Sequence, residues 1–167
     1  MTNPPMSGKV MLIAGGTGSV GKAIVHMAAA EGWTVAVHGR NAEKINALVQ
    51  RLGTPAEGFQ EDIWQDDAAD ALIADVAEQF GRIDAVIDCT ATGPSGIIGP
   101  FASTNPQSYT AFLGLSVGWL QRLAHAAYPH LSAQGGTFLS FVSDAGVFAA
   151  PRQTVIGAAR AGAIGFI

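Results

Sequence analysis

Residues 9–21, with the sequence KVMLIAGGTGSVG, decide the fold of this chain. They begin with a short apolar run that ends at glycines, a pattern typical of a strand buried on both faces. From Ser19 to Glu31 the apolar residues recur at helical spacing, and the pattern stops at Gly32. A strand, a glycine-rich turn and a helix in this order predict the first strand–helix unit of an α/β protein.

The glycines of this turn each have a separate use in binding a dinucleotide. Gly15 permits a tight turn, Gly18 lets the backbone approach a pyrophosphate, and Gly21 lets the helix and strand pack closely. The free amides and the positive end of the helix then face the phosphates. Glycine-rich turns also arise for packing alone, but the order of the three elements favours cofactor binding. The candidate binding residues are Gly15, Thr17, Gly18, Ser19, Val20 and Gly21.

A second strand, predicted over residues 34–38, is followed by Gly39 and Arg40. NAD-binding proteins place an acidic residue near this point, about 20 residues past the glycines, to bond the ribose 2′-hydroxyl. Gly39 has no carboxylate at this point, and the planar guanidinium of Arg40 can donate two parallel hydrogen bonds to a 2′-phosphate. The sequence therefore favours NADP over NAD, with Arg40 and Asn41 as binding residues. The alternative is that Arg40 is a solvated charge at a strand end.

Strand and helix patterns continue to alternate along the chain. Further helices are predicted over 42–52, 66–80, 107–127 and 154–167, and further strands over 56–60, 84–88 and 136–142. Residues 90–106 are predicted to be a loop without regular elements, and the long helix is predicted to stop near Pro129. The alternation predicts a three-layer, doubly wound parallel sheet, Rossmann-like with strand order 3-2-1-4-5.

Residues 1–167 are interpreted as one domain, because the composition supports one sizeable core and no linker interrupts the pattern. The last helical segment stops without a cap signal. The chain is therefore expected to be part of a longer polypeptide that supplies the last strands of the sheet, with a natural short form as the alternative.

The composition excludes several classes of function. The net charge is −4 and lysine and arginine do not cluster, so neither a nucleic acid nor an anionic membrane surface is an expected partner. Cys89 is the only cysteine and has no neighbours at metal-ligand spacing, so neither a disulfide nor a metal site is expected. No stretch supplies about 18 uninterrupted apolar residues, and the predicted location is the cytoplasm.

With these motifs in place, the chain resembles the short-chain dehydrogenase/reductase family over essentially its whole length. The spacing of its glycines is closer to the extended and atypical branches, because the main branch has a glycine where Ser19 stands. The resemblance assigns Asp62 and Ile63 to contacts with the adenine ring. It also places Cys89, Thr90 and Ala91 beside the cofactor. Residues 88–91 are Asp-Cys-Thr-Ala where the family normally has Asn-Asn-Ala-Gly, so the replacement keeps small residues there.

The catalytic positions of the family are mostly altered. Ser143 matches the serine that holds the substrate oxygen, but Ile156 stands at the tyrosine position and Arg160 at the lysine position. Leu115 stands where an active-site asparagine is expected. The tyrosine normally protonates the developing alkoxide, and isoleucine has no proton to give. Arg160 keeps its charge and is assigned to the cofactor ribose or to an oxyanion.

Other polar residues are weaker candidates. Asp144 is either a general acid with a raised pKa or an exposed turn residue, and the second interpretation is favoured. His125 and His130 are interpreted as surface residues that flank the end of a helix. Cys89 is interpreted as a small buried filler, with a reactive thiol as the alternative.

The resemblance implies an NADP-dependent oxidoreductase that acts on a small-molecule carbonyl, alcohol or activated alkene. Two alternatives stay open: an inactive NADP-binding sensor or oligomer partner, and a non-redox lyase or isomerase on the same scaffold. The helices predicted over 107–127 and 154–167 resemble those that form family interfaces, so a homodimer or homotetramer is expected.

Overall fold

A computed structural model describes residues 6–90 and 96–167. The strands are β1 (Val10–Ala14), β2 (Thr34–Gly39), β3 (Ala56–Gln60), β4 (Ala85–Asp88) and β5 (Thr137–Ser140). The α-helices are α1 (Ser19–Ala30), α2 (Ala42–Val49), α3 (Ala68–Phe80), α4 (Tyr109–Leu113), α5 (Trp119–Gln134) and α6 (Thr154–Phe166).

The five strands form one parallel sheet in the order β3-β2-β1-β4-β5. In its centre, Leu12 of β1 pairs with Ala36 of β2 on one side and with Val86 of β4 on the other. All three of these side chains are fully buried, which is why the central strands read as continuous apolar runs. The predicted fold class and strand order are confirmed.

The chain divides into two compact units. The first contains the described residues 6–90 and 124–140, and so holds the whole sheet with α1, α2 and α3. In it, Val25 of α1 and Leu48 of α2 pack with Ile13, Val35 and Val37 of the sheet. This apolar packing fixes α1 directly behind the glycine turn.

The second unit contains the described residues 96–123 and 141–167. Its core is a cluster of Ile97, Phe112, Val155 and Ala159, to which α4 and α6 contribute. The interpretation of 1–167 as one domain stays a prediction.

The prediction that the long helix stops near Pro129 is wrong. Helix α5 continues to Gln134 with Pro129 inside it. Proline removes one backbone donor, and Leu131 beyond it is buried, so packing of the following turn offsets that cost. His125 and His130 therefore lie within α5 and do not flank its end.

The predicted start of that helix also differs. A 3₁₀ turn at Pro106–Ser108 leads into α4, and a π-helical segment at Gly114–Gly118 separates α4 from α5. The loop before it is not free of regular elements, because Phe101–Ser103 forms another 3₁₀ turn. The Thr104 hydroxyl stabilises this turn by donating to the Phe101 carbonyl oxygen at 2.7 Å. Residues 91–95 of the predicted loop lie outside the described residues.

Candidate functional site

The glycine turn lies in the first unit, between β1 and α1. Gly15 has a φ of 75°, and a Cβ atom there would lie 3.0 Å from the backbone carbon and oxygen of Cys89. A Cβ on Gly21 would lie 2.3 Å from the Gly15 oxygen and 2.7 Å from the Gly16 Cα. Both positions therefore admit only glycine without movement of the backbone, and the roles predicted for Gly15 and Gly21 have a steric basis.

The N-terminus of α1 presents backbone donors beside this turn. Gly18 is the N-cap residue, and within residues 6–90 and 96–167 no side chain caps the helix. Gly18, Ser19 and Val20 are exposed. The first amides of a helix have no intrahelical partner, and they carry the positive end of its dipole. The Gly18 amide donates to the Gly15 carbonyl oxygen at 3.0 Å, so the open amides are those of Ser19, Val20 and Gly21. These three amides fit the pyrophosphate of a dinucleotide, and Gly18 without a side chain would let it approach them.

The end of β2 reaches the same turn. Gly39 is buried, and a Cβ atom there would lie 2.8 Å from the Thr17 hydroxyl oxygen and 3.1 Å from the Thr17 methyl carbon. A residue other than glycine at position 39 would therefore require the Thr17 side chain to move. Arg40 is exposed, and its carbonyl oxygen accepts a 3.2 Å hydrogen bond from the Gln60 side chain. Asn41 caps α2, since its side-chain oxygen accepts from the Lys44 amide at 2.8 Å.

The segment after β3 carries the residues assigned to the adenine ring. Asp62 is exposed, and its side chain accepts a 3.3 Å hydrogen bond from the Trp64 amide. Ile63 is buried at 3% exposure, so its side chain is anchored in the core. The structure thus gives a fixed backbone at Ile63 and an accessible carboxylate at Asp62.

His38 is a site residue that the sequence analysis did not identify. Its ring is 1% exposed and lies between the glycine turn and the segment after β3. The Gly15 amide donates to Nδ1 at 3.2 Å, and Nε2 donates to the Glu61 carbonyl oxygen at 3.1 Å. The signal was a single titratable side chain at the end of the otherwise apolar strand β2.

This bonding requires a neutral ring with the proton on Nε2. Burial lowers the pKa of His38 to about 4, although the bond to the Glu61 carbonyl opposes the shift. The unfolded chain binds a proton near pH 6.5, whereas the folded chain does not. The free energy of unfolding is therefore highest above pH 6.5, where the ring is neutral in both states. It decreases as the pH falls from 6.5 toward 4, because only the unfolded chain takes up the proton.

We expect the free energy of unfolding to fall by about 1.5 kcal/mol between pH 6.5 and pH 5, because the slope is about 0.7 kcal/mol per pH unit at pH 6.5 and rises to about 1.4 kcal/mol per unit below it. Urea denaturation at several pH values measures this slope. The His38→Asn variant, which cannot titrate here, is the control and should have a flatter profile. Equal slopes for the two proteins would contradict a neutral buried imidazole.

At the end of β4, Asp88 replaces the asparagine expected from the family. One carboxylate oxygen accepts from the Thr90 amide at 3.0 Å and from the Thr90 hydroxyl at 2.6 Å. The other accepts from the Ser140 hydroxyl at 3.4 Å, which ties β4 to β5. The substitution keeps the ends of the central strands joined. Ala91 lies outside the described residues.

Cys89 follows Asp88 and is half-buried against the core of the first unit. Burial and the Asp88 carboxylate raise the pKa of its thiol to about 11. The thiolate is the nucleophilic form, so this cysteine is protonated and unreactive at neutral pH. The geometry favours the interpretation of Cys89 as a filler.

Ser143 lies in the second unit, at the N-cap of a 3₁₀ turn, Asp144–Gly146. Its hydroxyl donates to the Asp144 carboxylate at 3.1 Å and accepts from the Ala145 amide at 3.3 Å. Asp144 is exposed, as expected for a turn residue. A Cβ on Gly146 would lie 2.7 Å from the Arg160 carbonyl carbon, so this turn packs directly against the backbone of α6.

Ile156 and Arg160 are partly buried in α6. Ile156 packs against the apolar cluster of the second unit, so it is a packing residue. Its side chain has no acidic proton to donate. Leu115 is 5% exposed in the π-helical segment, whose only polar side chain is the half-buried Ser116. π-Helical segments occur often at functional sites, and the sequence pattern gave no sign of this one.

Of the two tyrosines, Tyr109 lies in the second unit, and it packs against the same apolar cluster as Ile156. Its hydroxyl is hydrogen-bonded to Thr104, whose own proton goes to the Phe101 carbonyl. Tyr128, in α5, is 70% exposed. Among the residues that the structure describes, no cluster of histidine, cysteine, aspartate or glutamate is arranged to hold a metal ion. In the same ranges, no helix is long and apolar enough to span a membrane.

The sheet order and the glycine turn define a Rossmann-type α/β protein. The sequence profile described as "Enoyl-(Acyl carrier protein) reductase" matches residues 14–167. The chain belongs to this family, a branch of the short-chain dehydrogenases/reductases.

Individual relatives are distant. An uncharacterized oxidoreductase of Staphylococcus epidermidis is 25% identical over 92% of this chain and 66% of its own length. A probable 2,4-dienoyl-CoA reductase of Bacillus subtilis is 32% identical over 75% of this chain and 49% of its own. The structure of NAD⁺-bound xylitol dehydrogenase, at 24% identity, superposes with a TM-score of 0.87 over 98% of this chain and 64% of that protein. The chain spans 66% or less of the first curated relatives it matches.

Proposed function

We propose that this chain is the nicotinamide-nucleotide-binding part of an oxidoreductase that acts on a small molecule. The main support is the turn between β1 and α1. Its backbone leaves no space for a Cβ atom at Gly15 or Gly21, and the first amides of α1 beside it are open. Packing alone would explain tight glycines, but it would not require an uncapped, exposed helix N-terminus. Membership of a reductase family supports the same function.

We propose NADP as the preferred cofactor. Position 39 carries no carboxylate to recognise the 2′-hydroxyl of NAD, and a side chain there would require Thr17 to move. Arg40 follows directly and is exposed, and a guanidinium is suited to bind a 2′-phosphate. A solved neighbour carries NAD⁺, so the preference rests on these residues and not on the relatives.

The preference for NADP predicts that the Arg40→Ala variant loses affinity for NADPH but not for NADH. We expect its Kd for NADPH to rise about tenfold to hundredfold, because charge-assisted hydrogen bonds contribute about 1.5 to 3 kcal/mol. The Kd for NADH should change less than about threefold. Isothermal titration calorimetry with both cofactors measures the two constants.

Arg51→Ala is the matched control, because Arg51 is an exposed arginine that follows the same helix α2. It removes the same charge but should leave both constants unchanged. A wild-type protein that binds NADH as tightly as NADPH would contradict the cofactor preference, and a protein that binds neither would contradict the proposed function.

The bound nicotinamide would supply or accept a hydride. In this proposal α1 would hold the pyrophosphate and Arg40 the 2′-phosphate. Ser143 would bind a substrate oxygen only after its hydroxyl gives up the bond that it donates to Asp144. Ile156 cannot protonate an alkoxide. Reduction of an activated alkene suits this set, because the carbanion formed can take its proton from water. A relative is named as a probable 2,4-dienoyl-CoA reductase, which supports this substrate class.

A second candidate is a cofactor-binding protein without catalysis. It is favoured by the packing of Ile156 in an apolar cluster, where the family has its proton donor. Loss of NADPH absorbance with a panel of enones and aldehydes distinguishes the two. Turnover supports the oxidoreductase, and tight binding without turnover supports the sensor. A homodimer or homotetramer and a cytoplasmic location stay predictions, which light scattering and cell fractionation test.

A further inference from the structure

The ring of His38 joins two parts of the first unit that are separate in sequence. Gly15 begins the phosphate-binding turn, and Glu61 lies directly before Asp62 in the segment assigned to adenine. One ring nitrogen accepts from the Gly15 amide, and the other donates to the Glu61 carbonyl. The ring is therefore a bridge of fixed length between the two segments.

The backbone of His38 holds the same turn. Its carbonyl oxygen accepts from the Gly16 amide at 2.8 Å, next to the bond from the Gly15 amide to the ring. The first two amides of the turn are thus bound to β2 and are not used for a phosphate. The amides that remain for the ligand begin further along the turn, at the start of α1.

An apolar side chain would fill the same space without making these bonds. The Gly15 amide and the Glu61 carbonyl would then each lose a partner. The His38 side chain would no longer link the glycine turn to the segment after β3. A dinucleotide contacts both segments at once, so its affinity depends on their separation.

We infer that His38 is a positioning residue for the cofactor, which holds the pyrophosphate-binding turn and the adenine-binding segment at a fixed separation. This inference rests on the proposed function. It assigns the residue a role in affinity for the nucleotide, in addition to its place in the core.

Two conservative variants separate the two bonds. In His38→Asn the carboxamide oxygen replaces Nδ1 and keeps the bond from Gly15, but the bond to Glu61 is lost. In His38→Gln the carboxamide nitrogen replaces Nε2 and keeps the bond to Glu61, but the bond from Gly15 is lost. Each variant thus frees one of the two segments.

Two ligands report on the two segments. NADPH contacts both, whereas adenosine 2′-monophosphate lacks the pyrophosphate and contacts only the adenine and 2′-phosphate side. For His38→Gln we expect a Kd for NADPH raised about fivefold to tenfold and an unchanged Kd for the monophosphate. For His38→Asn we expect about fivefold increases for both ligands. NMR titration of the ¹⁵N-labelled chain measures all four constants.

Unchanged constants in folded variants would overturn the inference. Equal losses for both ligands in both variants would also overturn it, because they indicate a general loosening of the core. If a variant fails to fold, the ¹⁵N shifts of the wild-type ring decide, since a proton on Nδ1 at pH 7 is incompatible with the bond from Gly15.

Failure of the proposed function has a different signature. If the wild-type chain binds neither ligand, the proposed function is wrong. Hydrogen exchange of the Gly15 amide then tests whether the His38 ring holds the turn, without any ligand. Faster exchange in His38→Gln but not in His38→Asn then supports the positioning by the ring. Identical exchange in the wild type and both variants overturns it.

Discussion

Gly21→Ala is expected to abolish tight cofactor binding and to destabilise the first unit. The new Cβ would lie 2.3 Å from the Gly15 oxygen and 2.9 Å from the Gly15 carbonyl carbon, both of which are backbone atoms. Either the turn or α1 must move. Overpacking of this kind costs about 1 to 3 kcal/mol, more than the gain of up to about 1 kcal/mol in helix propensity. The displaced amides should raise the Kd for NADPH about hundredfold or more.

Calorimetry and urea denaturation together measure both effects. Gly53→Ala is the control, because a Cβ atom there has nothing within 4 Å and should leave stability and affinity nearly unchanged. A Gly21→Ala protein that keeps wild-type affinity for NADPH would show that the turn is not the phosphate site.

Asp84→Ala is expected to lower the free energy of unfolding by about 2 to 4 kcal/mol. Asp84 is 7% exposed, and its carboxylate accepts from the Val10 amide at 2.9 Å and from two nitrogens of Arg82 at 2.9 and 2.6 Å. Burial opposes its charge, but the bonds from Arg82 and Val10 outweigh that effect and hold its pKa below the usual value. The variant leaves the amide at the start of β1 without this acceptor.

Thermal and urea denaturation measure this loss. Glu78→Ala removes the same charge from an exposed position on α3 and should change stability by less than about 0.5 kcal/mol. Because the folded-state pKa of Asp84 is lowered, its contribution is present above pH 4 and is lost on acidification. A variant as stable as the control at pH 7 would show that the pairing with Arg82 and Val10 contributes no net stability.

Most of the fold could be predicted from local sequence. Helices α1 to α3 have helical periodicity, and β1, β2 and β4 are short apolar runs that end at glycines or polar turns, so their type follows from neighbouring residues alone. The pattern of β3 is weaker. Helix α5 could not be predicted to continue through Pro129, because the burial of Leu131 depends on residues far away in sequence.

The candidate site divides in the same way. The spacing of Gly15, Gly18 and Gly21 after a buried strand predicted the glycine turn proposed to bind the phosphates, since the steric need for glycine is a local property of the backbone. Only the tertiary structure decided that His38 joins this turn to Glu61, and that Thr17 occupies the space beside Gly39. Those contacts connect residues more than 20 positions apart, and their distances depend on how parallel strands align in the sheet and not on any single segment.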